Sequence, residues 1–280
     1  MTSPTPTITL NNGISIPQLG FGVFQIPPAD TKQFTLDALE VGYRHIDTAE
    51  MYRNEAEVGQ AVRASGLDRA DVFVTSKLNN GYHEPGQAIR AFEGTLAALD
   101  LGYVDLFLIH WPLPTSEVDY LDTWKALESL LEGGGVRAIG VSNFQIAHLQ
   151  RLLEGGSVVP AVNQIELHPY LAQNELREFD RAHGIATEAW SPIARGKVLA
   201  APEVVAIAAD IGRSPAQVVL RWHLQRGEIV IPKSVTPSRI AENFALFDFE
   251  LTDDQMAGIS GLDRDGRIGP SPDTFAYVPR

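Results

Sequence analysis

Eight short apolar runs recur along this chain, and a stretch of helical periodicity separates nearly every one from the next. The runs fall at residues 19–22, 43–47, 72–77, 104–110, 138–142, 161–166, 185–190 and 229–233. Between and after them, sided apolar patterns predict helices over 31–40, 55–64, 88–99, 120–131, 146–153, 175–183, 203–209 with 216–225, and 239–244. Pro85 and the Ser214-Pro215 pair supply two of the helix starts. Continuous apolar strands that alternate with helices bury both strand faces, as in a parallel sheet. Eight repeats over 280 residues predict a closed (β/α)8 TIM barrel. A doubly wound open sheet is the competing arrangement. Upstream, residues 7–10 and 14–16 flank Asn11-Asn12-Gly13, a hairpin signal. No Pro/Ser-rich linker divides the chain, so residues 1–280 are expected to form one domain, with a C-terminal tail at 262–280 over the barrel mouth.

Charge narrows the partners. Lys and Arg number 22 against 35 Asp and Glu, for a formal net charge of −13. That balance argues against sequence-independent nucleic-acid binding and against an anionic membrane surface. An anionic small ligand would need a local basic pocket. No apolar run approaches the ~20 residues that span a bilayer. Residues 1–6 lack the pattern of a secretory signal, and with no cysteine the cytosol is the expected compartment.

Two patterns look chemical but have structural readings. Gly133-Gly134-Gly135-Val136-Arg137-Ala138 fits a dinucleotide fingerprint, yet it follows a helix and opens a strand, the reverse of the required context. His45 and Asp47 share a strand face but lack a third ligand, so no metal site is expected.

Barrel chemistry sits at the C-terminal strand ends. Those ends carry Asp47, Lys77 and His110 on successive strands, with Tyr52 in the loop after Asp47. A phenol with its ordinary pKa near 10 is a poor acid at neutral pH. A Lys ammonium ~4 Å away, at an effective dielectric of ~20, favours the phenolate by roughly 4 kcal/mol, or up to about 3 pKa units before burial subtracts. Asp47 would keep Lys77 charged, a neutral His110 would hold a substrate oxygen, and Tyr52 would act as general acid. The set has no hydride source, so a cofactor has to supply one.

The blocks Gly42-Tyr43-Arg44-His45-Ile46-Asp47-Thr48-Ala49-Glu50-Met51-Tyr52, Leu106-Phe107-Leu108-Ile109-His110-Trp111-Pro112, Ile139-Gly140-Val141-Ser142-Asn143-Phe144, Asn163-Gln164-Ile165-Glu166-Leu167-His168-Pro169 and Ile231-Pro232-Lys233-Ser234 occur in this order. Together they resemble the aldo-keto reductase family, nearest to its bacterial 2,5-diketo-D-gluconate reductase branch. The resemblance implies NADPH-dependent reduction of small aldehydes, α-dicarbonyls or keto-sugar acids. It implies Tyr52 as proton donor, tuned by Lys77 and Asp47, with His110 orienting the carbonyl. It also implies Ser142, Asn143 and Gln164 on the nicotinamide carboxamide, Trp190 stacked on the ring, and Ser191 and Ile193 along the pyrophosphate. Lys233, Ser234, Val235 and Arg239 would surround the 2′-phosphate, and Glu242 and Asn243 the adenine. Lys233 and Arg239 are the local cations that a −13 chain needs for an anionic cofactor.

Two departures bear on substrate. Asn79 stands where relatives often carry Trp, and Arg195 replaces part of a Leu-Gly-x-Gly loop, where it would meet a substrate carboxylate or lie exposed. Phe24, Met51 and Trp111 complete the expected substrate residues. A Schiff-base lyase using Lys77 and a non-catalytic NADPH sensor are the rival readings, and a monomer is the family-like expectation.

Overall fold

The computed structural model describes residues 5–279. A hairpin of β1 (Thr7–Thr9) and β2 (Ser15–Pro17) precedes eight parallel strands. These are β3 (Phe21–Gly22), β4 (His45–Asp47), β5 (Phe73–Leu78), β6 (Val104–Ile109), β7 (Val136–Ser142), β8 (Val162–Glu166), β9 (Ala186–Trp190) and β10 (Ile229–Val230). They pair in sequence order. The ring is closed by a parallel bridge between Leu19 and Val230, with Gly20 N–H donating to Val230 O at 2.8 Å and Val230 N–H to Gln18 O at 2.9 Å. Closure decides for the barrel over the open sheet.

Period-two alternation sorts the strand residues into inside and outside. The innermost end of the barrel is apolar: Phe73, Leu106, Leu108, Ala138, Val162 and Ile229 form one cluster with Leu10 and Ile16, so the hairpin plugs the floor. Further along the same inward faces stand His45, Thr75, Gln164 and Glu188, and at the rim Asp47, Lys77, Ser142, Glu166 and Trp190. Layered filling of this kind is what a tilted eight-strand ring permits. Gly140 belongs to the middle layer because a Cβ there would lie 2.6 Å from Val162 O and 2.8 Å from Leu108 Cδ2.

The outward strand faces pack under the helices in the largest core cluster, which includes Ile46, Val74, Phe107, Ile109, Val141 and Ile165. The helices are α1 (Pro28–Val41), α2 (Glu55–Ala64), α3 (Pro85–Leu99), α4 (Tyr120–Glu132), α5 (Ile146–Gly155), α6 (Asn174–Ala182), α7 (Pro202–Ile211), α8 (Pro215–Gln225), α9 (Pro237–Phe244) and α10 (Asp253–Ser260). α8 starts where Ser214-Pro215 predicts, with Ser214 and Gln217 forming a capping box. α3 starts at Pro85, its cap completed by the Glu84 carboxylate on Gly86 N and Gln87 N. The glycine run after α4 is a turn, with Gly134 at φ 74.

Some boundaries differ from the sequence reading. The eighth strand ends at Val230 rather than residue 233, because Pro232 has no N–H for the ladder; its carbonyl still accepts from Gly22 N. α10 carries no expectation from sequence; its Ile259 packs in the small core cluster with Val204 and Trp222. Past it the tail crosses the mouth: Phe275 lies on Trp111 with ring centroids 4.2 Å apart, and Asn80 Nδ2 donates to Tyr277 O at 2.9 Å. Of that expected tail, Arg280 lies outside the described residues, as do residues 1–4 of the N-terminus.

Candidate active site

Four barrel strands deliver the central groups. Asp47 closes β4, Lys77 sits one residue from the end of β5, His110 follows β6 directly, and Gln164 points inward from β8. Tyr52 ends a short 3-10 turn, Glu50–Tyr52, that is terminated by Arg53 in the left-handed region at φ 57. Asn54 anchors this turn. Its Nδ2 donates to Val23 O at 3.1 Å and Ile26 O at 3.2 Å, and its Oδ1 accepts from Thr48 Oγ1 at 2.9 Å. The loop carrying Phe24 and the loop carrying Tyr52 are thereby joined, and their rings meet at 4.9 Å. Sequence reasoning passed over Asn54, whose role exists only once the two loops are adjacent.

Lys77 is fully buried, with Nζ 2.7 and 2.8 Å from the two Asp47 oxygens, 2.9 Å from Thr48 O and 3.5 Å from the Tyr52 hydroxyl. Burial opposes its charge, but Asp47 and Tyr52 outweigh it and hold its pKa above the ordinary value. A lysine so held is a poor nucleophile, which disfavours the Schiff-base reading. For Tyr52 the balance goes the other way. Burial is the larger effect and pushes the phenol above its ordinary value, although Lys77 pulls it down. The sequence reading weighed the same two effects without knowing how dry the site is. Burial, then Lys77 and His83, drive His110 well below an ordinary histidine, so it is neutral. Its ring meets that of Tyr52 edge-on at 5.7 Å.

These groups open into a cavity of about 630 Å³ whose lining includes Asp47, Tyr52 and His110. Ser142, Asn143, Gln164, Trp190, Ser191, Ile193, Lys233 and Arg239 line the same space, as do Phe24, Met51, Trp111 and Arg195. Asn143 stands at φ 65, its Nδ2 donating to His110 O at 2.9 Å and its Oδ1 accepting from Trp190 Nε1 at 2.8 Å. Gln164 Nε2 donates to Asp47 Oδ2 at 2.8 Å and Glu188 Oε2 at 2.9 Å.

Six sequence-predicted residues lie outside this lining, Lys77 among them because it sits buried behind Asp47 and Tyr52. Asn79 is not part of the lining; its Nδ2 donates to Glu50 Oε2 and its Oδ1 accepts from Gly81 N, capping the turn that follows β5. Ser234 accepts from Thr236 N at 3.1 Å, and Val235 is exposed beyond it. Glu242 accepts from Ser214 Oγ, and Asn243 is buried on α9. His45, weighed as a metal ligand, instead bonds Thr75 Oγ1 at 3.0 Å.

Two residues that sequence reasoning left without a role also shape the site. Glu166 Oε1 accepts from Ile268 N at 2.6 Å and His168 Nε2 at 3.0 Å, and Oε2 accepts from Gly269 N at 2.7 Å. That carboxylate holds the tail against Trp190, where a Cβ on Gly269 would lie 2.6 Å from Cη2. Glu188 is the second: a fully buried carboxyl at the centre of β9, between Thr187 and Ala189.

A parallel barrel with Tyr, Lys, Asp and His converging at its C-terminal rim is the arrangement of a carbonyl-handling oxidoreductase. Residues 18–264 match the aldo/keto reductase family, and the chain belongs to it. An aldo-keto reductase of Mycobacterium sp. (strain KMS) is 50% identical over 273 residues, covering 98% of this chain and 99% of that protein. Methylglyoxal reductase DkgA of Yersinia pestis is 48% identical over 273 residues, covering 96% and 97%. The crystal structure of a Gox0644 mutant in complex with NADPH has a TM-score of 0.94 at 44% identity, covering 98% of this chain and 100% of that one.

Proposed function

We propose that this chain reduces small aldehydes, α-dicarbonyls and keto-sugar acids with NADPH, Tyr52 supplying the proton. The observation that carries the reading is the Tyr52 hydroxyl 3.5 Å from a buried, Asp47-paired Lys77 at the head of the cavity. The names of the relatives favour α-dicarbonyls among the substrates.

The cavity suits a nicotinamide dinucleotide phosphate at both ends. At one end Gln164 commits both N–H bonds inward to carboxyls, which turns its Oε1 toward the lining as an acceptor for a carboxamide N–H. Ser142 and Asn143 stand beside it, with Trp190 offering a flat face. At the other end Lys233 and Arg239 bring cations to a chain of net charge −13, as a 2′-phosphate requires. Ser191 and Ile193 lie between, while Ser234, Val235, Glu242 and Asn243 lie near α9, where an adenosine could extend. When bound, the nicotinamide supplies the hydride.

The chain's own residues do the rest. His110, neutral, offers an N–H to the carbonyl oxygen and fixes its direction. Tyr52 gives that oxygen its proton, and Lys77 stabilises the phenolate left behind. At 3.5 Å and an effective dielectric of ~20 this is worth roughly 5 kcal/mol. Asp47 keeps Lys77 charged throughout. Phe24 and Trp111 with Phe275 wall the mouth.

Tyr52→Phe tests the assignment. Turnover should fall by about 10²-fold or more, the usual worth of a general acid, while NADPH affinity stays within about twofold. Turnover near the parent's would overturn it.

A further inference from the structure

Glu188 is fully buried on β9, on the same inward face as Trp190. Its Oε2 and Asp47 Oδ2 accept from one nitrogen, Gln164 Nε2, at 2.9 and 2.8 Å. The groups that face it are few: Asp47 and His45 from β4, Lys77 and Thr75 from β5, and Gln164 from β8, with Tyr52 beyond Lys77. Lys77 lies against both oxygens of Asp47 at 2.7 and 2.8 Å. Glu188 has no cation at that range among the described residues; its nearest basic atom is His45 Nε2, 3.7 Å from Oε1. That imidazole is neutral, since burial and Lys77 drive its pKa down to about 3.

Two carboxyls therefore share one dry site with one cation. Both cannot ionise together, and the proton goes to the one without the cation. Glu188 Oε1 has no hydrogen-bond partner among the described residues, which leaves that oxygen as the place for an O–H. Burial, and then Asp47, push the Glu188 carboxyl up to about 8.

We propose that Glu188 is a positioning residue for carbonyl reduction: a buried acid that stays uncharged through neutral pH and so leaves the charge of Lys77 to Tyr52. This rests on Tyr52 as the proton donor. When Glu188 ionises, a second negative charge joins Asp47 behind Lys77, and Tyr52 becomes a weaker acid. Reduction then declines on the alkaline side before the phenol itself titrates.

The test compares pH profiles of kcat for reduction in the parent and in Glu188→Gln, which keeps the shape and the acceptor but does not ionise. The alkaline limb should move up by roughly one pH unit, so that at pH ~9 the variant retains several-fold more of its neutral-pH turnover. Superimposable profiles would overturn the proposal. A second readout needs no turnover: infrared absorption of protonated carboxyls at pH ~6.5. Asp180, also pushed up by burial, to about 7, absorbs there too, so the contribution of Glu188 is the part lost in Glu188→Gln. No difference between folded parent and variant would overturn the proposal, and Glu188→Met serves in the same comparison if the amide does not fold. A Tyr52→Phe enzyme that still turns over would instead remove the reading beneath it, with the infrared difference intact.

Discussion

The indole N–H of Trp190 donates to Asn143 Oδ1 at 2.8 Å, tying the flat ring on β9 to the amide that follows β7. Asn143 is held from the other side by its own N–H on Gln164 O at 2.8 Å and by Nδ2 on His110 O at 2.9 Å. One bond thus links the face proposed to stack on nicotinamide to the group proposed to hold its carboxamide. Trp190→Phe keeps a flat face and loses the bond. Its expected cost is that of one net hydrogen bond, about 1 kcal/mol, or roughly a fivefold rise in the NADPH Kd by calorimetry. Trp190→Ala should cost more. Equal affinities in Phe and parent would show that stacking alone matters.

Lys233 and Arg239 both line the cavity. Removing a charge-assisted contact costs about 1.5–3 kcal/mol. Arg239→Ala should therefore weaken NADPH at least tenfold and leave NADH within about twofold. A parallel loss for both cofactors would place the guanidinium elsewhere than on a 2′-phosphate.

Glu166 fastens the tail by accepting from Ile268 N and Gly269 N, and Phe275 then seats on Trp111. Glu166→Gln turns an N–H toward one of those donors and should loosen the segment. The expected signs are faster limited proteolysis after residue 262 and a higher KM for the carbonyl than for NADPH. Gly269→Ala should act in the same direction, because its Cβ meets Trp190. Unchanged cleavage in both variants would mean that the tail is held by other contacts.

His83 predicts the acid behaviour of the fold. It is buried, neither ring nitrogen has a partner among the described residues, and burial lowers its pKa to about 4. Between an unfolded value near 6.5 and the native one, the unfolded chain binds the extra proton, so stability falls as pH drops through this window and levels below it. The loss attributable to His83 is up to about 3 kcal/mol. His83→Leu should flatten the decline of Tm from pH ~6.5 to ~4. A slope from His45, lowered to about 3, would remain. An unaltered profile would show that His83 finds a partner the folded chain does not provide.

Much of this was legible in the residue order. Alternating apolar runs and helical stretches are local patterns, and eight of them specify a barrel because each strand has to be covered on both faces. Asp47, Lys77 and His110 are readable for the same reason: chain direction puts the end of each parallel strand at one rim. Strand limits were less legible, since Pro232 breaks the ladder in a way that depends on what lies opposite. What only the tertiary structure decided is which side chains meet across the ring. Gln164 reaches Asp47 over 117 positions and Glu188 over 24, and Asn79 turns away to cap a local turn. Those meetings depend on closure and stagger, which no local pattern carries. The dryness that raises Tyr52, neutralises His110 and leaves Glu188 without a cation exists only once the barrel has closed around them.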